Sequence, residues 1–421
     1  MDETSNYAVK DLSLAEQGLR NIEFAEREMG ALMKVKERFS KEKPLRGQCI
    51  GMALHVTKET AVLVKTLIAG GADVAICSCN PLSTQDDVAA ALAKSGVKVF
   101  GYKGETKEDY YKFINAVIAA KPSITIDDGC DLVSEIHSKH PELIPNIKFG
   151  NEETTTGVIR LKSMEKEGAL KYPMIAVNDL DTKHLFDNFY GTGASTIDGI
   201  TRATNVLLAG KTFVVCGYGQ CGKGVALRAK GMGANVIVTE VNALNALQAK
   251  MDGYGVMPLS EAAKEGEIFV TVTGNKHVIT TEHMKLMGSG TILANSGHFD
   301  VEIDVEGLEK ISVKKRNIRP QLDEYTLKDG RKIFLVGSGR LCNLSAAEGH
   351  PSVVMAMSFC GQALAVEYGL KNLKNLKVGV NTLPKDVDER IAELQLEALG
   401  VKKDVLSDIQ KKYLSSWSEG T

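Results

Sequence analysis

The sequence lacks an excess of charge of either sign. Its 421 residues include 51 basic and 53 acidic side chains, which gives a formal net charge of −2. Proteins that bind nucleic acid through electrostatics carry a basic surface, so this balance gives no reason to expect such a partner. The short basic run at residues 314–319 is interpreted as solvated surface.

The sequence also lacks the patterns of disulfide-bonded, zinc-binding and exported proteins. Its 8 cysteines include no CxxC and no Cys/His pair at zinc spacing, so we expect reduced, mostly buried thiols. His137 and His140 form an HxxH on a predicted polar helix, which is more typical of a solvated face than of a metal site, and we expect no metal. The N-terminus is acidic, and no apolar stretch predicts a bilayer span. We therefore expect a cytoplasmic protein without a membrane partner.

The most informative segment that is present is a glycine-rich turn between a strand and a helix. A predicted strand at residues 212–216 is followed by Gly217, Gly219 and Gly222. Such glycines permit a tight turn, a close approach of backbone N–H groups to a pyrophosphate, and close packing of helix on strand. The next predicted strand ends at Glu240, whose carboxylate can accept hydrogen bonds from a ribose diol. The pattern predicts an NAD site, and a turn without a ligand is the alternative.

Short apolar runs alternate with helical patterns in two stretches of the chain, one from residue 49 and one after about residue 190. This alternation predicts parallel sheets with helices on both faces and ligands at the carboxyl ends of the strands. The fold class we predict is α/β, with two doubly wound parallel-sheet domains joined by hinge helices. One hinge helix would place Ile197, Ile200, Ala203 and Leu207 on one face, and the other would span residues 352–370. The predicted strands are residues 49–54, 73–78, 98–102, 124–126, 212–216, 235–239, 268–272, 291–294 and 333–336.

Two polar segments lie between the halves. Three threonines at residues 154–156 could hydrogen-bond a cofactor, or they could form the N-cap of a helix. Lys183 and Asp187 are four residues apart, so a helix would place them on one face. Taken alone, this spacing favours an ordinary surface ion pair, and a functional pair stays open as the alternative.

Several motifs recur in order along nearly the whole chain. They are HxTxET at residues 55–60, SCN at 78–80, STQD at 83–86, KGET at 103–106, DDGCD at 127–131, EETTTG at 152–157, FDN at 186–188, GHFDVEID at 297–304 and GHP at 349–351. Together they resemble the S-adenosyl-L-homocysteine hydrolase (adenosylhomocysteinase) family, in its shorter archaeal and bacterial form. The resemblance implies reversible hydrolysis of S-adenosyl-L-homocysteine to adenosine and L-homocysteine. In that family, tightly held NAD oxidises the ribose 3′-hydroxyl, homocysteine leaves by β-elimination, water adds, and the 3′-ketone is reduced.

The resemblance implies a role for each of seven catalytic residues. Lys183 would be the base for the 3′-hydroxyl, which requires a lowered pKa, while Asp187 holds the diol and Glu153 grips the ribose. Asn188 would bridge substrate and nicotinamide, and His298 would order the 3′ side and the cofactor. His55 and Asp131 would move protons at C4′, C5′ or the leaving sulfur, and the group that takes the C4′ proton stays open.

The resemblance also implies the binding residues. The substrate set is Thr57, Glu59, Asp131, Glu153, Lys183, Asp187 and His350. The NAD set is Thr154, Thr155, Thr156, Asn188, Gly217, Gly219, Gln220, Cys221, Gly222, Lys223, Gly224, Glu240, Asn245, Ser296, Gly297, His298, Asn343 and His350. Because Glu59 can accept a hydrogen bond from a purine 6-amino group, we expect a preference for the adenosyl over the inosyl substrate.

The resemblance further implies a substrate-binding domain at 1–187, completed by 351–390, an NAD-binding Rossmann domain at 188–350, and a helical tail at 391–421 that makes a subunit contact in a homotetramer. Three departures from the family pattern stand out. Thr192 replaces a common cysteine, so a thiol there is not essential, and Gln220 replaces a common aspartate in the glycine turn. The sequence also stops without the C-terminal segment that reaches a neighbour's cofactor in longer relatives, so we expect weaker or more temperature-dependent NAD binding.

Two other functions are alternatives to this one. A 2-hydroxyacid dehydrogenase on the same scaffold would explain the glycine turn but not His55, Asp131, Glu153 and the Lys183/Asp187 pair together. A non-catalytic NAD-sensing protein on a dead hydrolase scaffold would be expected to have lost one of the proton-handling residues, all of which are present.

Overall fold

Residues 6–418 are described by a computed structural model. Within this range the backbone forms two sheets of eight strands each. The strands are β1 (Tyr7–Ala8), β2 (Cys49–Ala53), β3 (Asp73–Cys77), β4 (Lys98–Phe100), β5 (Ile124–Asp127), β6 (Phe149–Glu152), β7 (Pro173–Ala176), β8 (Thr212–Cys216), β9 (Asn235–Thr239), β10 (Gly255–Val256), β11 (Ile268–Thr271), β12 (Thr291–Asn295), β13 (Ser312–Arg319), β14 (Leu322–Leu327), β15 (Lys332–Val336) and β16 (Gly379–Asn381).

Helices cover both faces of these sheets. In chain order they are α1 (Ala15–Glu28), α2 (Gly30–Glu42), α3 (Lys58–Ala69), α4 (Asp86–Lys94), α5 (Lys107–Ala119), α6 (Asp131–Lys139), α7 (Thr155–Lys166), α8 (Asp181–Lys183), α9 (Thr192–Thr204), α10 (Gln220–Gly231), α11 (Ala243–Met251), α12 (Leu259–Glu265), α13 (Thr281–Leu286), α14 (Val305–Ile311), α15 (Cys342–Ser345), α16 (Ser352–Lys371), α17 (Lys385–Ala398) and α18 (Asp408–Leu414). A π-helix at His184–Gly191 joins α8 to α9. Short 3₁₀ turns lie at Leu12–Leu14, Pro141–Asn146, Val177–Asp179, Gly337–Gly339 and Leu373–Asn375.

The central strands are buried along nearly their whole length. In β2 and β8 every residue after the first is buried, as expected of parallel strands that are covered by helices on both faces. Two hydrophobic clusters pack on opposite faces of each sheet. The prediction of two doubly wound α/β units is confirmed.

The strand order of each sheet contains one reversal. The first sheet runs β1-β4-β3-β2-β5-β6-β7-β16, so the chain leaves β2 in one direction and resumes on its other side at β5. The second sheet runs β10-β9-β8-β11-β12-β15-β14-β13, with the same reversal between β8 and β11. In open parallel sheets a crevice forms beyond the carboxyl ends of the strands at such a reversal.

The predicted ends of the elements differ from the structure by a few residues. Helix α3 starts after Thr57 and α5 after Thr106, because each threonine hydroxyl caps its helix by accepting a hydrogen bond from a backbone N–H. Helix α9 ends at Thr204, so the prediction that placed Leu207 on its packed face was wrong, and Leu207 is 74% exposed.

An antiparallel hairpin at the edge of the second sheet was missed. Strand β13 pairs with β14, which pairs with β15 in the opposite direction. The basic residues interpreted as solvated surface lie in β13, which is exposed along almost its whole length. A charged edge strand without a buried face shows no hydrophobic alternation, so the sequence gives no strand pattern there.

The expectation that no apolar stretch could span a bilayer was wrong in one respect, because one helix is long enough and apolar enough to do so. Helix α16 has 20 residues and a window with a mean hydropathy of 1.4. However, 78% of that window is buried inside the protein, as in the core helix of a folded domain.

The chain returns to the first sheet near its end. Strand β16 pairs with β7, and α17 buries Ile391 and Leu394 in the first core. Helix α17 therefore crosses the predicted domain boundary at residue 391, and the exposed part of the tail follows it. The last three residues of the predicted tail, like residues 1–5, lie outside the described residues.

Candidate active site

The reversals of both sheets open onto one cavity of about 570 Å³. From the first sheet, the segments after β2, β5, β6 and β7 contribute His55, Asp128, Glu153 and Asn178. From the second sheet, the segments after β8, β11 and β12 contribute residues 219–221, 272–274 and 296–298. A single cavity is thus walled by the functional edges of both sheets.

Two histidines flank one carboxylate at one end of the cavity. Nε2 of His55 lies 3.4 Å from Oδ2 of Asp128, and Nδ1 of His298 lies 3.6 Å from Oδ1 of the same residue. Burial lowers the pKa of His55 to about 4, although Asp128 opposes the shift. His55 is therefore a neutral imidazole at pH 7, and its Nδ1 is oriented by the Ser83 hydroxyl at 2.8 Å.

Asp128, and not the predicted Asp131, faces the cavity. Gly129 and Cys130 both have positive φ, 107° and 68°, and this tight turn sends Asp131 to the first position of α6. There Oδ1 of Asp131 pairs with Arg160 at 2.7 Å, and Oδ2 accepts from the Tyr110 hydroxyl at 2.9 Å. Asp131 is not among the residues that line the cavity, whereas Asp128 is.

A buried charge cluster stands where α8 meets the π-helix. Nζ of Lys183 lies 3.3 Å from Oδ1 of Asp187 and 3.8 Å from Oε1 of Glu153. It also donates to Oδ1 of Asn188 at 2.9 Å and of Asn178 at 3.3 Å. The helical spacing of Lys183 and Asp187 therefore forms a buried ion pair rather than a surface one.

The pKa of Lys183 moves opposite to the predicted direction. Burial alone would lower the pKa, but the carboxylates of Asp187 and Glu153 outweigh it and raise the pKa of the ammonium. The lowered pKa expected for a base did not take account of the second carboxylate. In this structure Lys183 is therefore a cation held between two acids.

The two acids differ in their environments. Burial raises the pKa of Glu153 to about 7, with Lys183 opposing the shift, and its oxygens accept hydrogen bonds from Ser358 and Gln362. For Asp187, burial acts to raise the pKa, but the charges of Lys183 and His350 prevail and lower it. The cluster therefore contains one carboxyl poised to exchange a proton near neutral pH and one that stays ionised.

Polar groups at the start of α3 and α16 also border the cavity. Glu59 is buried, and its Oε1 accepts a hydrogen bond from the Ser352 hydroxyl at 2.6 Å. Nδ1 of His350 lies 3.5 Å from Oδ1 of Asp187, and Thr192 contacts both His350 at 3.4 Å and the Cys221 thiol at 3.6 Å.

The glycine turn has the geometry that the sequence predicts. Gly217 has a φ of 107°, which favours glycine, and a Cβ on Gly222 would overlap the carbonyl oxygen of Gly217. A Cβ on Gly219 would meet nothing within 4 Å, and Gly219 lines the cavity. At the end of β9, the carboxylate of Glu240 accepts from the Tyr218 N–H at 2.7 Å and so reaches the turn.

Comparison with known proteins decides the family. Residues 6–146 match the sequence model of S-adenosyl-L-homocysteine hydrolase, and residues 188–349 match the model of its NAD binding domain. The chain is 60% identical over 416 residues to an adenosylhomocysteinase of Aquifex aeolicus, with 99% of this chain and 100% of that protein covered. The chain belongs to the S-adenosyl-L-homocysteine hydrolase family.

This family includes relatives with two different substrates in their names. An S-inosyl-L-homocysteine hydrolase of Methanocaldococcus jannaschii is 56% identical over 415 residues, covering 99% of this chain and 100% of that protein. Among solved structures, a dipicolinate synthase from Bacillus halodurans has a TM-score of 0.50 and 14% identity, covering 77% of this chain and 99% of that protein. That likeness concerns the fold alone.

Family membership confirms an enzyme with an NAD cofactor. The NAD binding domain of S-adenosyl-L-homocysteine hydrolase spans nearly all of the second half, and the dehydrogenase and NAD-sensing alternatives are set aside. The cradle beside Gly219 fits a pyrophosphate, because the N-terminus of α10 opens there without a side-chain cap. Asn343 supports the fit, since its buried Oδ1 has no hydrogen-bond partner among the described residues and the residue lines the cavity.

The remaining predicted NAD residues divide into two groups. Those that line the cavity are Thr154, Thr155, Thr156, Asn188, Gly219, Gln220, Cys221, Ser296, Gly297, His298, Asn343 and His350. Those that do not line it are Gly217, Gly222, Lys223, Gly224, Glu240 and Asn245. Thr154 occupies the N-cap position of α7 but makes no side-chain capping bond, so its hydroxyl is not committed to the helix.

Two cavity residues were assigned no role from the sequence. Asp128 lies in the acidic run after β5, where polar groups at a strand end indicate a site, and Asn178 follows β7. His55, Asp128 and His298 also offer ligand atoms within 4.8 Å of one another. This spacing is compatible with a metal ion, and the absence of a metal stays a prediction.

Proposed function

We propose that the protein catalyses the reversible hydrolysis of S-adenosyl-L-homocysteine to adenosine and L-homocysteine. The observation that carries this proposal is the pairing, in one cavity, of the Lys183 cluster with the His55 and Asp128 pair. The Lys183 cluster can exchange protons with a ribose hydroxyl, and the His55 and Asp128 pair can do so with the C5′ side of the same sugar. A simple dehydrogenase needs only the Lys183 cluster. The adenosyl substrate is favoured over the inosyl one because Glu59 can accept from a 6-amino group.

When bound, NAD supplies oxidation of the ribose 3′-hydroxyl and its later reduction, so no external oxidant is consumed. The residues that would hold it are those of the glycine turn, Thr154 to Thr156, Glu240, Asn245, Ser296 and Asn343. Glu240 would face the adenosine ribose of NAD, and the threonine hydroxyls would face the nicotinamide side. Asn188 would bridge the two ligands, a role supported by the contacts of its amide with Thr155 at 3.5 Å and with Lys183 at 2.9 Å.

The Lys183 cluster would take the proton of the 3′-hydroxyl. Lys183 passes a proton to Glu153 as it accepts the hydroxyl proton, so Lys183 relays the proton and the net acceptor is Glu153, whose pKa of about 7 lies near neutral pH. Asp187 stays ionised and accepts hydrogen bonds from the ribose diol. The reverse transfers return the proton when the hydroxyl is restored.

The histidine end would handle the proton exchanged at the leaving sulfur and the incoming water. Neutral His55 and the carboxyl group of Asp128 can both accept a proton, and a proton taken by either is shared across the 3.4 Å contact between them. His298, on the other oxygen of Asp128, fixes the orientation of that carboxylate. Removal of the C4′ proton is assigned to this end of the cavity, because Lys183 already carries the 3′ proton.

The two sheets are proposed to act as substrate-binding and NAD-binding domains, with boundaries near residues 187 and 350. The tail after α17 exposes several apolar side chains, namely Val405, Leu406, Ile409, Tyr413, Leu414 and Trp417. Exposed apolar patches of this kind support a subunit contact. We propose a homotetramer in the cytoplasm, without metal, nucleic acid or membrane partners.

A Lys183→Met variant tests the proposal. Purified protein is incubated with S-adenosyl-L-homocysteine, released thiol is trapped, and the absorbance of protein-bound NADH is followed. The wild type should release thiol and show bound NADH, whereas the variant should bind substrate and do neither. Lys166→Met, at an exposed position of α7, should behave like the wild type. Thiol release by Lys183→Met at the wild-type rate would refute the assignment.

A further inference from the structure

A lysine lies directly behind the carboxylate at the purine end of the cavity. Lys58 is the first residue of α3, and its Nζ lies 3.4 Å from Oε1 of Glu59. The same Nζ donates to Oε2 of Glu348 at 3.0 Å. Burial alone would lower the pKa of Lys58, but the two carboxylates outweigh it and raise the pKa. Lys58 is therefore an ammonium that can only donate hydrogen bonds.

Glu348 separates this ammonium from the purine end. Glu59 and Glu348 both line the main cavity, whereas Lys58 lines a second cavity of about 250 Å³. Glu348 borders both cavities. The Lys58 side chain is thus held on the side of the Glu59 and Glu348 carboxylates that faces away from the main cavity. In the sequence, Lys58 directly precedes Glu59, the residue expected to meet the purine.

The two candidate substrates differ at the edge that meets these groups. Adenine presents a 6-amino donor beside the N1 acceptor, whereas hypoxanthine presents a 6-oxo acceptor beside an N1–H donor. A carboxylate only accepts and an ammonium only donates. Glu59 alone therefore matches the 6-amino group, while a 6-oxo group requires a donor such as Lys58.

We propose that Glu348 sets the purine preference of the enzyme by holding Lys58 away from the base, an inference that rests on the proposed function. With Lys58 retained, the 6-position of the purine meets an acceptor and the adenosyl substrate is selected. When Lys58 is released, its ammonium can reach forward to a 6-oxo group while Glu59 accepts from N1–H. Glu348 is a positioning residue, because it acts through Lys58.

The partners of Glu348 allow this role to be separated from a structural one. Its Oε2 holds Lys58, while its Oε1 accepts from Arg202 of α9 at 3.3 Å. A substitution at Arg202 thus breaks one ion pair of Glu348 without releasing Lys58. The side chain of Glu348 is 59% exposed, so its replacement should leave the fold intact.

The experiment measures kcat/KM of the full-length holoenzyme for S-adenosyl- and S-inosyl-homocysteine. Glu348→Gln should lower the ratio of kcat/KM for the adenosyl substrate to kcat/KM for the inosyl substrate about tenfold. The change should come chiefly from a lower KM for the inosyl substrate, because its 6-oxo group gains one charge-assisted hydrogen bond from Lys58. Glu348→Ala should shift the ratio in the same direction. Adding Lys58→Met to Glu348→Gln should remove the gain, and Arg202→Gln should keep the wild-type ratio.

Two results would overturn the inference. In the first, Glu348→Gln changes both substrates by the same factor, which is the behaviour of a merely structural residue. In the second, the Lys58→Met/Glu348→Gln double variant keeps the inosyl gain, so Lys58 is not the donor. A wild-type protein that cleaves neither substrate would instead defeat the proposed function itself, and the two failures are thereby distinguished.

Discussion

At the scale of single residues, the proton chemistry depends on which carboxylate faces the cavity. Asp128 touches both His55 and His298, whereas Asp131 is committed to Arg160 and Tyr110. The two aspartates are three residues apart in one motif, so they form a natural matched pair. Substituting each aspartate in turn separates an effect on catalysis from an effect on the stability of the fold.

Asp128→Asn should lower kcat by roughly 10²-fold or more, because it removes a proton-accepting group from the C5′ end, while the melting temperature changes little. Asp131→Asn should retain most of kcat but lower the melting temperature, since Arg160 loses its charged partner. Steady-state thiol release and thermal unfolding measure the two effects. The opposite pattern, with Asp131→Asn inactive and Asp128→Asn active, would support Asp131 as the proton-handling residue, as the sequence motif suggests.

The sequence could not choose between these aspartates because the choice depends on backbone geometry. The left-handed conformation of Cys130 after Gly129 turns the chain into α6, and a non-glycine residue in that region is uncommon enough that no pattern predicts it. For Lys183, similarly, the spacing to Asp187 was visible, but the approach of Glu153 from β6 was not. Local backbone geometry decided the first case, and a contact between segments distant in sequence decided the second.

At the scale of elements, the glycine turn after β8 assigns different tasks to neighbouring glycines. Gly219 faces the cavity with free space around its missing side chain, while Gly222 is packed against the turn itself. A methyl group at position 219 would therefore interfere with a ligand, whereas a methyl group at position 222 would interfere with the fold.

Gly219→Ala should leave the melting temperature of the NAD-free protein nearly unchanged and weaken NAD binding, because the methyl group occupies the pyrophosphate approach. Gly222→Ala should lower the melting temperature of the NAD-free protein itself, because its Cβ overlaps the Gly217 carbonyl. Calorimetric titration with NAD and thermal unfolding distinguish the two. Unchanged NAD affinity in Gly219→Ala would contradict the proposal that the turn beside Gly219 holds the pyrophosphate.

Strands were predicted where an apolar run has clear ends, and burial alone was not sufficient, because the buried strands β6 and β7 were missed. Strands β8 and β9 were predicted with the correct bounds because apolar runs end at clear turn residues on both sides. Strand β13 was missed because it is exposed and charged, and β1 and β16 were missed because they have only two and three residues. Short and exposed strands are stabilised by pairing with neighbours, which a local pattern does not record.

At the scale of the whole molecule, one buried acid makes stability depend on pH. Glu105 follows β4, and its side chain is buried. Burial raises the pKa of Glu105 to about 8 from an ordinary value of 4.5. The folded state therefore binds more protons than the unfolded state between these values, and stability falls as pH rises from about 4.5 towards 8.

Glu105→Gln should remove this dependence. At pH 8 the variant should gain melting temperature relative to the wild type, and at pH 5 it should gain much less, because the wild-type carboxyl is then protonated in the folded protein. Glu108→Gln, at an exposed position of α5, serves as the control and should follow the wild type at both pH values. Parallel shifts of Glu105→Gln and wild type with pH would contradict the prediction.

The segments around the two sheets also share polar contacts. Nζ of Lys103 donates to the Ser345 carbonyl at 2.8 Å, and Gln85 donates to the Glu348 carbonyl at 3.3 Å. Residues that follow strands of both sheets line the main cavity, so neither sheet forms its wall alone.

The proposed chemistry as a whole depends on NAD acting before the thioether bond breaks. The direct measurement is to strip the protein completely of dinucleotide and assay release of homocysteine thiol from S-adenosyl-L-homocysteine. The stripped protein should release none, and addition of NAD⁺ should restore release. Release at the holoenzyme rate by the stripped protein would contradict this order of events.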